Sequence, residues 1–179
     1  MEFKRHTKET APIDSQPLLD GSIKDMGWIP NLHAVMADAP PVLEAYKTLG
    51  DLFTQTSFDA EELTLVWQTI NIEHECLYCV PAHTLVAHMM KVDPAISEAL
   101  RNRTELPTKK LQVLQQTTLF LVRNRGHLSE EERAAFYEAG YENRQLLEIV
   151  LGLSHKVLSN YVNHLAETPL DEAFQEFVW

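Results

Sequence analysis

The stretch "NIEHECLYCVPAHT", residues 71–84, contains both cysteines of the chain. Two residues separate Cys76 from Cys79, and His83 follows four residues after the second cysteine. Pro81 fits a helix only within its first turn, because further along it would lose a backbone hydrogen bond and clash with the preceding turn. We therefore expect a helix that begins near Cys76 and carries both thiols at its N-terminus.

This position favours a reactive dithiol. The free N–H groups and the dipole at a helix N-terminus stabilise a thiolate, and Cys76 and Cys79 are near enough to form a disulfide. His83 lies one turn beyond Cys79 on the same face, where an imidazole can accept the thiol proton. Glu73 is predicted to hold or relay through this histidine, with Glu75 as the adjacent candidate.

Two other interpretations of the dithiol remain open. The cysteines can be small buried hydrophobic residues, or Cys76, Cys79 and His83 can bind zinc with Glu73 or His88 as a fourth ligand. Structural zinc sites usually draw ligands from two separate chain segments, and the sequence has no second pair at that spacing. A purely structural disulfide is disfavoured, because so short a loop removes little entropy from the unfolded chain.

The rest of the chain has the periodicity of helices. Apolar residues recur at three- and four-residue steps, and no segment shows the alternation of a strand. Asp59 with Glu62, and Ser129 with Glu132, have the spacing of capping boxes. Asn143 is predicted to cap the longest helix, which precedes Pro169. These patterns predict an all-α fold of about seven or eight helices.

The length of 179 residues suits one domain. Residues 1–25 are mixed polar and contain Pro12 and Pro17, so we interpret them as an extended N-terminal arm rather than a helix. Residues 26–179 are predicted to form a single all-α domain. His155, in the last helix, is interpreted as a structural histidine.

The net charge of −11 argues against nucleic acid or an anionic membrane as a partner. No apolar run approaches the roughly 20 residues of a membrane span. The first residues lack the apolar region of a signal peptide. We expect a cytoplasmic protein, a compartment in which thiols stay reduced.

The segment "EHECLYCVPAH" (73–83) resembles the Glu-x-x-Cys-x-Tyr-Cys-x-x-x-His pattern of the alkylhydroperoxidase D-like branch of the carboxymuconolactone decarboxylase superfamily. "GWIPNLHAVMADAPPVLEAYKTL" (27–49) is similar to the N-terminal helices of that family. "LEIVLGLSHKVLSNYVNHLAETPLD" (147–171) is similar to its C-terminal helix. The resemblance therefore spans residues 20–171 and implies an alkylhydroperoxidase D-like helical domain.

The resemblance also implies a chemistry. Cys79 would be the peroxidatic thiol, Cys76 the resolving thiol, and His83 a member of the proton relay. An external dithiol protein or a small thiol would reduce the resulting disulfide, and no metal, flavin or haem would be needed. Members of the family assemble as homo-oligomers, commonly trimers or hexamers.

One position departs from the family pattern. Thr64 occupies the place of the relay glutamate, and Glu62 is displaced from it by two residues, so Glu73 is the expected substitute. The leading hypothesis is a thiol-dependent peroxidase, or more broadly a disulfide reductase, that serves antioxidant defence. The alternatives are a redox-sensing or binding module without turnover and a zinc-bound dithiol.

Overall fold

Nine α-helices build residues 2–179, the part of the chain that the computed structural model describes. In chain order the helices are α1 (Gln16–Met26), α2 (Asn31–Met36), α3 (Pro40–Thr54), α4 (Ala60–Glu73), α5 (Cys79–Met89), α6 (Pro94–Asn102), α7 (Lys109–Arg123), α8 (Glu130–Glu138) and α9 (Asn143–Ala166). Two short 3₁₀ helices, Ile13–Ser15 and Glu172–Phe177, flank them. These residues include no strand, so the predicted all-α class is confirmed, and α2 has only six residues.

Helix α4 lies at the centre and packs against α5, α6, α7 and α9. Its residues 62–71 are all buried, as expected of a helix with neighbours on every side. α3 packs along α9, and the second 3₁₀ helix packs on α5. The candidate site lies where the C-terminal end of α4, the N-terminal end of α5 and the second half of α9 meet.

Two apolar clusters form the core. The first surrounds Phe53, Ile70 and Leu114 and joins α4 to α6, α7 and α9. The second contains Leu19 and Leu43 from the N-terminal helices, both cysteines and Phe174 from the C-terminal 3₁₀ helix. The dithiol is therefore part of the protein interior, with 1% of Cys76 and 2% of Cys79 exposed.

The capping signals in the sequence are confirmed. The Asp59 side chain accepts a hydrogen bond from the Glu62 N–H, and the Glu62 carboxylate accepts one from the Asp59 N–H. Ser129 and Glu132 form the same reciprocal pair at α8. Each pair satisfies backbone donors that the first turn of a helix leaves free.

The interpretation of residues 1–25 as an extended arm is wrong for Gln16–Met26, which form α1. Pro17 lies in the first turn, where its missing N–H has no helical partner to lose. Leu19 is fully buried, and Gly27 ends the helix in the left-handed conformation. Met1, the first residue of the predicted arm, lies outside the described residues, and the domain boundary at residue 26 stays a prediction.

Two predicted helix starts shift by a few residues. α5 begins at Cys79 rather than near Cys76, which lies in the turn before it. The N-cap of α9 is Glu142, whose N–H donates to Gln145 Oε1 (3.0 Å), while Asn143 is its first residue.

Helix α9 buries polar side chains on the face that packs against α3 and α4. Lys156, Ser159, Asn160 and Asn163 are all buried, at helical spacing along one side. Among residues 2–179, no helix combines the length and apolar character needed to cross a lipid bilayer.

Replacing Gly152 by alanine is expected to destabilise the protein by about 1–3 kcal/mol. An added Cβ would lie 2.7 Å from Phe53 Cε2 and 3.1 Å from Val66 Cγ1, inside the tightly packed contact of α9 with α3 and α4. Chemical denaturation measures the change. Gly21→Ala in α1 is the matched control, because its Cβ would meet only the Lys47 side chain at 3.6 Å. A neutral or stabilising Gly152→Ala would contradict this packing.

Candidate active site

The turn that ends α4 fixes the position of Cys76. The Cys76 N–H donates to the Asn71 carbonyl (2.9 Å), and the Glu75 N–H donates to the Ile72 carbonyl (3.0 Å). Glu75 lies between these bonds with a φ of 53°. The two bonds and the left-handed residue form a Schellman motif, which turns the chain so that Cys76 faces inward immediately after the helix.

Cys76 is hydrogen-bonded to the start of the next helix. The Cys79 N–H donates to Cys76 Sγ (3.3 Å), and the Val80 N–H donates to the Cys76 carbonyl (3.1 Å). Pro81 is the third residue of α5 and lacks only an N–H that the first turn leaves unpaired. The prediction of thiols at a helix N-terminus therefore holds for Cys79, the first residue of α5, while Cys76 lies in the turn before it.

Helix α9 supplies hydrogen bonds to the sulfurs. The side-chain amide of Asn163 donates to Cys79 Sγ at 3.2 Å and lies 3.8 Å from Cys76 Sγ. Ser159 Oγ lies 4.0 Å from Cys79 Sγ. The Asn160 amide donates to Asn71 Oδ1 (3.0 Å), which joins α9 to the end of α4. The amide donors favour negative charge on Cys79.

Lys156 is fully buried beside this cluster. Its Nζ lies 2.8 Å from His83 Nε2, and none of the ion pairs among residues 2–179 includes it. Burial lowers the pKa of Lys156, while the negative charge of Cys79 and Cys76 raises it. The thiols are thus the anionic partners available to this ammonium group.

The two thiols have opposite pKa shifts. Burial raises the pKa of Cys79, but the hydrogen bond from Cys76, the charge of Lys156 and the amides of Asn160 and Asn163 outweigh it and lower that pKa to about 6. The hydrogen bond that Cys76 gives to Cys79, together with burial, raises the pKa of Cys76. These opposite shifts favour the thiolate on Cys79 and the thiol on Cys76.

His83 is buried and does not contact either thiol through a hydrogen bond in the described residues. Burial lowers its pKa far below the usual range, and the charge of Lys156 adds to this effect. Its ring packs on Trp67, with 4.8 Å between the ring centroids. His83 is consequently a neutral imidazole that accepts a hydrogen bond from the Lys156 ammonium.

Glu73 is not brought into the cluster. Its carboxylate accepts hydrogen bonds from Arg123 Nε (2.7 Å) and Nη2 (2.8 Å) on α7, and that contact lowers its pKa. The relay role predicted for Glu73 has no support in these contacts. Thr64, in the place of the family's glutamate, is buried with an unpartnered hydroxyl, and Glu75 is exposed.

A cavity of about 310 Å³ lies next to the dithiol. Its inner wall includes Tyr78, Ala82 and His83, which flank Cys79 along the chain, while neither cysteine lines it. Tyr46 of α3 and His155 of α9 form a stacked pair on another side, with ring centroids 4.7 Å apart. An aromatic-walled cavity of this size suits a small organic molecule.

His155 is buried and hydrogen-bonded, and its structural role stays a prediction. Its Nδ1 accepts a hydrogen bond from Trp67 Nε1 (3.2 Å), and burial lowers its pKa far below the usual range. It also stacks on Tyr46. Burial raises the pKa of the Tyr46 phenol, and negative charge on Cys79 and Cys76 raises it further.

Tyr78, between the cysteines, anchors the turn. Its hydroxyl donates to Asp171 Oδ2 (2.6 Å) and accepts from the Leu32 N–H (3.2 Å). Asp171 is itself buried and also accepts hydrogen bonds from Trp28 Nε1 (3.1 Å) and from the Asn31 N–H. One carboxylate thus joins the C-terminal segment, the start of α2 and the dithiol turn.

The zinc alternative is not supported by the geometry. Within residues 2–179, no three His, Cys, Asp or Glu side chains lie together in a way that could bind a metal ion. Cys76, Cys79 and His83 do not form such a set, since the His83 Nε2 lone pair accepts from Lys156.

The sequence interpretation missed Lys156 and Asn163. The available signal is a polar stripe in the last helix, where Lys156, Ser159 or Asn160, and Asn163 recur at three- and four-residue steps. This spacing indicates a shared face, but the stripe alone does not tell whether that face is buried.

Comparison with known proteins identifies the fold. No protein-family model matches the chain, and no curated protein matches it. The solved structure of an alkylhydroperoxidase AhpD core, an uncharacterized peroxidase-related protein from Ralstonia eutropha JMP134, has a TM-score of 0.81 at 18% identity, over 97% of this chain and 95% of that one. The chain therefore has the alkylhydroperoxidase D-like fold predicted from its dithiol segment.

Two further structures share this fold. An uncharacterized peroxidase-related protein from Silicibacter sp. TM1040 has a TM-score of 0.80 at 16% identity, over 97% of this chain and 95% of that one. The debrominase Bmp8, as a cysteine-to-alanine variant bound to 2,3,4-tribromopyrrole, has a TM-score of 0.76 at 17% identity, over 99% of this chain and 95% of that one. At these identities the likeness defines the fold and leaves the activity to the site.

Proposed function

We propose that this protein is a thiol-dependent peroxidase that reduces hydroperoxides through a Cys79–Cys76 dithiol/disulfide cycle. The observation that carries the proposal is the environment of Cys79 Sγ, which accepts a hydrogen bond from Asn163 and lies near the buried charge of Lys156. A low-pKa thiolate next to a second thiol is the arrangement that peroxide reduction requires.

The proposed cycle has three steps. The Cys79 thiolate attacks the terminal oxygen of the hydroperoxide, so that an S–O bond forms, the O–O bond breaks and an alkoxide leaves. The Cys76 thiol then condenses with the Cys79 sulfenic acid, forming the disulfide and releasing water. An external dithiol protein or small thiol reduces the disulfide by exchange.

Binding and assembly are part of the same proposal. The hydroperoxide approaches through the cavity beside Tyr46 and His83. We further propose a reducing, cytoplasmic environment, because the cycle consumes external thiols, and assembly into a homo-oligomer.

The test is hydroperoxide consumption by the wild-type protein with dithiothreitol as reductant, paired with a count of free thiols after one equivalent of hydroperoxide. The expected result is many turnovers per chain and, without reductant, the loss of two thiols. Reversible loss of two thiols with no turnover would contradict a peroxidase and support a redox-sensing module.

Reductive dehalogenation is a second candidate, favoured by the aromatic walls of the cavity and by the shared fold with a debrominase. The Cys79 thiolate would attack the halogen, and the carbon would keep the bonding electrons and take a proton. Cys76 would then displace halide from Cys79 to form the disulfide. Halide release from a brominated pyrrole in the presence of dithiothreitol tests this reaction, and its absence would exclude that substrate.

A further inference from the structure

Lys156 is a buried cation without a carboxylate partner. It is 0% exposed, and its one described side-chain hydrogen bond is the 2.8 Å contact with His83 Nε2. A buried ammonium needs a compensating anion close by. Negative charge on Cys79 and Cys76 favours the charged form of Lys156, so a thiolate on Cys79 and the ammonium stabilise each other in an electrostatic pairing.

His83 connects Lys156 with the cavity. Because its Nε2 accepts from the ammonium, the ring proton of the neutral imidazole is on Nδ1. His83 Nδ1 is buried and has no hydrogen-bond partner in the described residues, while the residue lines the cavity. A buried donor without an acceptor is uncommon in native proteins, and an oxygen atom of a molecule bound in the cavity would satisfy it.

We propose that Lys156 and His83 form a proton relay that serves the peroxidase reaction, with Lys156 as its proton donor. The proposal rests on the function proposed above. As Cys79 attacks and the alkoxide leaves, His83 Nδ1–H gives its proton to the alkoxide oxygen. His83 Nε2 takes a proton from the Lys156 ammonium at the same time, and the imidazole stays neutral in its other tautomer.

The charges of this step balance. Before attack the site holds one thiolate and one ammonium, and after attack it holds a sulfenic acid, a neutral amine and an alcohol. Neutral Lys156 then accepts the Cys76 proton as that thiol attacks Cys79, and returns it to the departing hydroxide as water forms. The buried site therefore keeps zero net charge throughout, which avoids an uncompensated charge in the interior.

The other titratable side chains around the site do not take part in the relay, because they stay neutral. Tyr46 on α3 has a raised pKa and stays a neutral phenol. His155 on α9 is neutral, with a pKa lowered by burial. Burial also lowers the pKa of His33 on α2 to about 3.

The pairing is tested by titrating the ultraviolet absorbance of the thiolate in wild type, Lys156→Met and Lys156→Arg. Methionine removes the charge, so the pKa of Cys79 is expected to rise by about 1–3 units. Arginine keeps the charge, so the pKa is expected to stay near the wild-type value. An unchanged pKa in Lys156→Met overturns the pairing, and circular dichroism with thermal unfolding confirms that each variant folds.

The relay is tested by the rate of a single turnover with tert-butyl hydroperoxide. Arginine does not release its proton, and His83→Gln removes the second ring nitrogen, so both variants are expected to keep the low thiol pKa and to react roughly 10²-fold more slowly. Wild-type rates in both would overturn the relay, and His83→Gln tests it even if neither Lys156 variant folds.

Failure of the relay and failure of the proposed function give different results. The thiolate titration uses no hydroperoxide, so a wild type that fails to consume hydroperoxide refutes the peroxidase and leaves the titration to decide the Lys156 pairing. A wild type that turns over, with Lys156→Arg and His83→Gln equally fast and a raised thiol pKa in Lys156→Met, refutes the relay alone.

Discussion

Cys79→Ser is expected to abolish hydroperoxide turnover, with a loss of roughly 10³-fold or more, because removal of a nucleophile removes the reaction path itself. Serine keeps the size of the side chain, and its hydroxyl can still accept from Asn163. Peroxide consumption with dithiothreitol, followed by a coupled colour assay, measures the loss. Turnover at the wild-type rate would refute the assignment of Cys79.

Cys76→Ser is the matched control, since it makes the same chemical change three residues away. The serine hydroxyl can still donate a hydrogen bond to Cys79, so one equivalent of hydroperoxide is expected to be reduced, with little disulfide-dependent turnover afterwards. A variant that loses even the first equivalent would mean that Cys76, and not Cys79, attacks the peroxide.

Asp171→Ala is expected to lower the free energy of unfolding by about 3–4 kcal/mol, since each unsatisfied buried donor costs roughly 1–3 kcal/mol. The carboxylate accepts from the Tyr78 hydroxyl, Trp28 Nε1 and the Asn31 N–H. All three donors lose their acceptor at once. Chemical denaturation, with tryptophan fluorescence as the signal, measures the effect.

The control for this substitution is Asp20→Ala in α1. Asp20 is half exposed and pairs with the equally exposed Lys8 at 2.7 Å, so its loss is expected to cost at most about 1 kcal/mol. Equal effects of the two substitutions would show that the Asp171 contacts do not hold the dithiol turn.

The helices could be predicted where hydrogen bonds between residues close in the sequence determine where they begin. Asp59 and Ser129 cap their helices through side-chain bonds within four residues, and such bonds can be seen in the sequence. α1 was missed because Pro17 was interpreted as a breaker. Its place in the first turn makes it compatible with a helix, and the burial of Leu19 decides the outcome.

Only those parts of the candidate site that are close together in the sequence could be predicted. The spacing of Cys76 and Cys79 and the position of Pro81 indicated a dithiol at a helix start, which the structure confirms for Cys79. Lys156 and Asn163 lie some eighty residues away in sequence. The contact of Asn163 with the sulfurs and that of Lys156 with His83 depend on how α9 packs, which periodicity does not reveal.

Glu73 shows that closeness in the sequence does not ensure contact in the structure. It is near Cys76 in the sequence, but the Schellman motif after α4 turns the chain between them, so the two side chains face different parts of the protein. Its carboxylate faces α7 and pairs with Arg123. Lys156, which is hydrogen-bonded to His83, occupies the part of the site that the sequence interpretation gave to the glutamate.

The central claim is that Cys79 is the thiolate that attacks the peroxide. The most direct measurement is mass spectrometry of Cys76→Ser after one equivalent of hydroperoxide, in the presence of a reagent that traps sulfenic acids. The account predicts stoichiometric trapping on Cys79. An unmodified Cys79 in a folded protein, with the hydroperoxide left unconsumed, would contradict it.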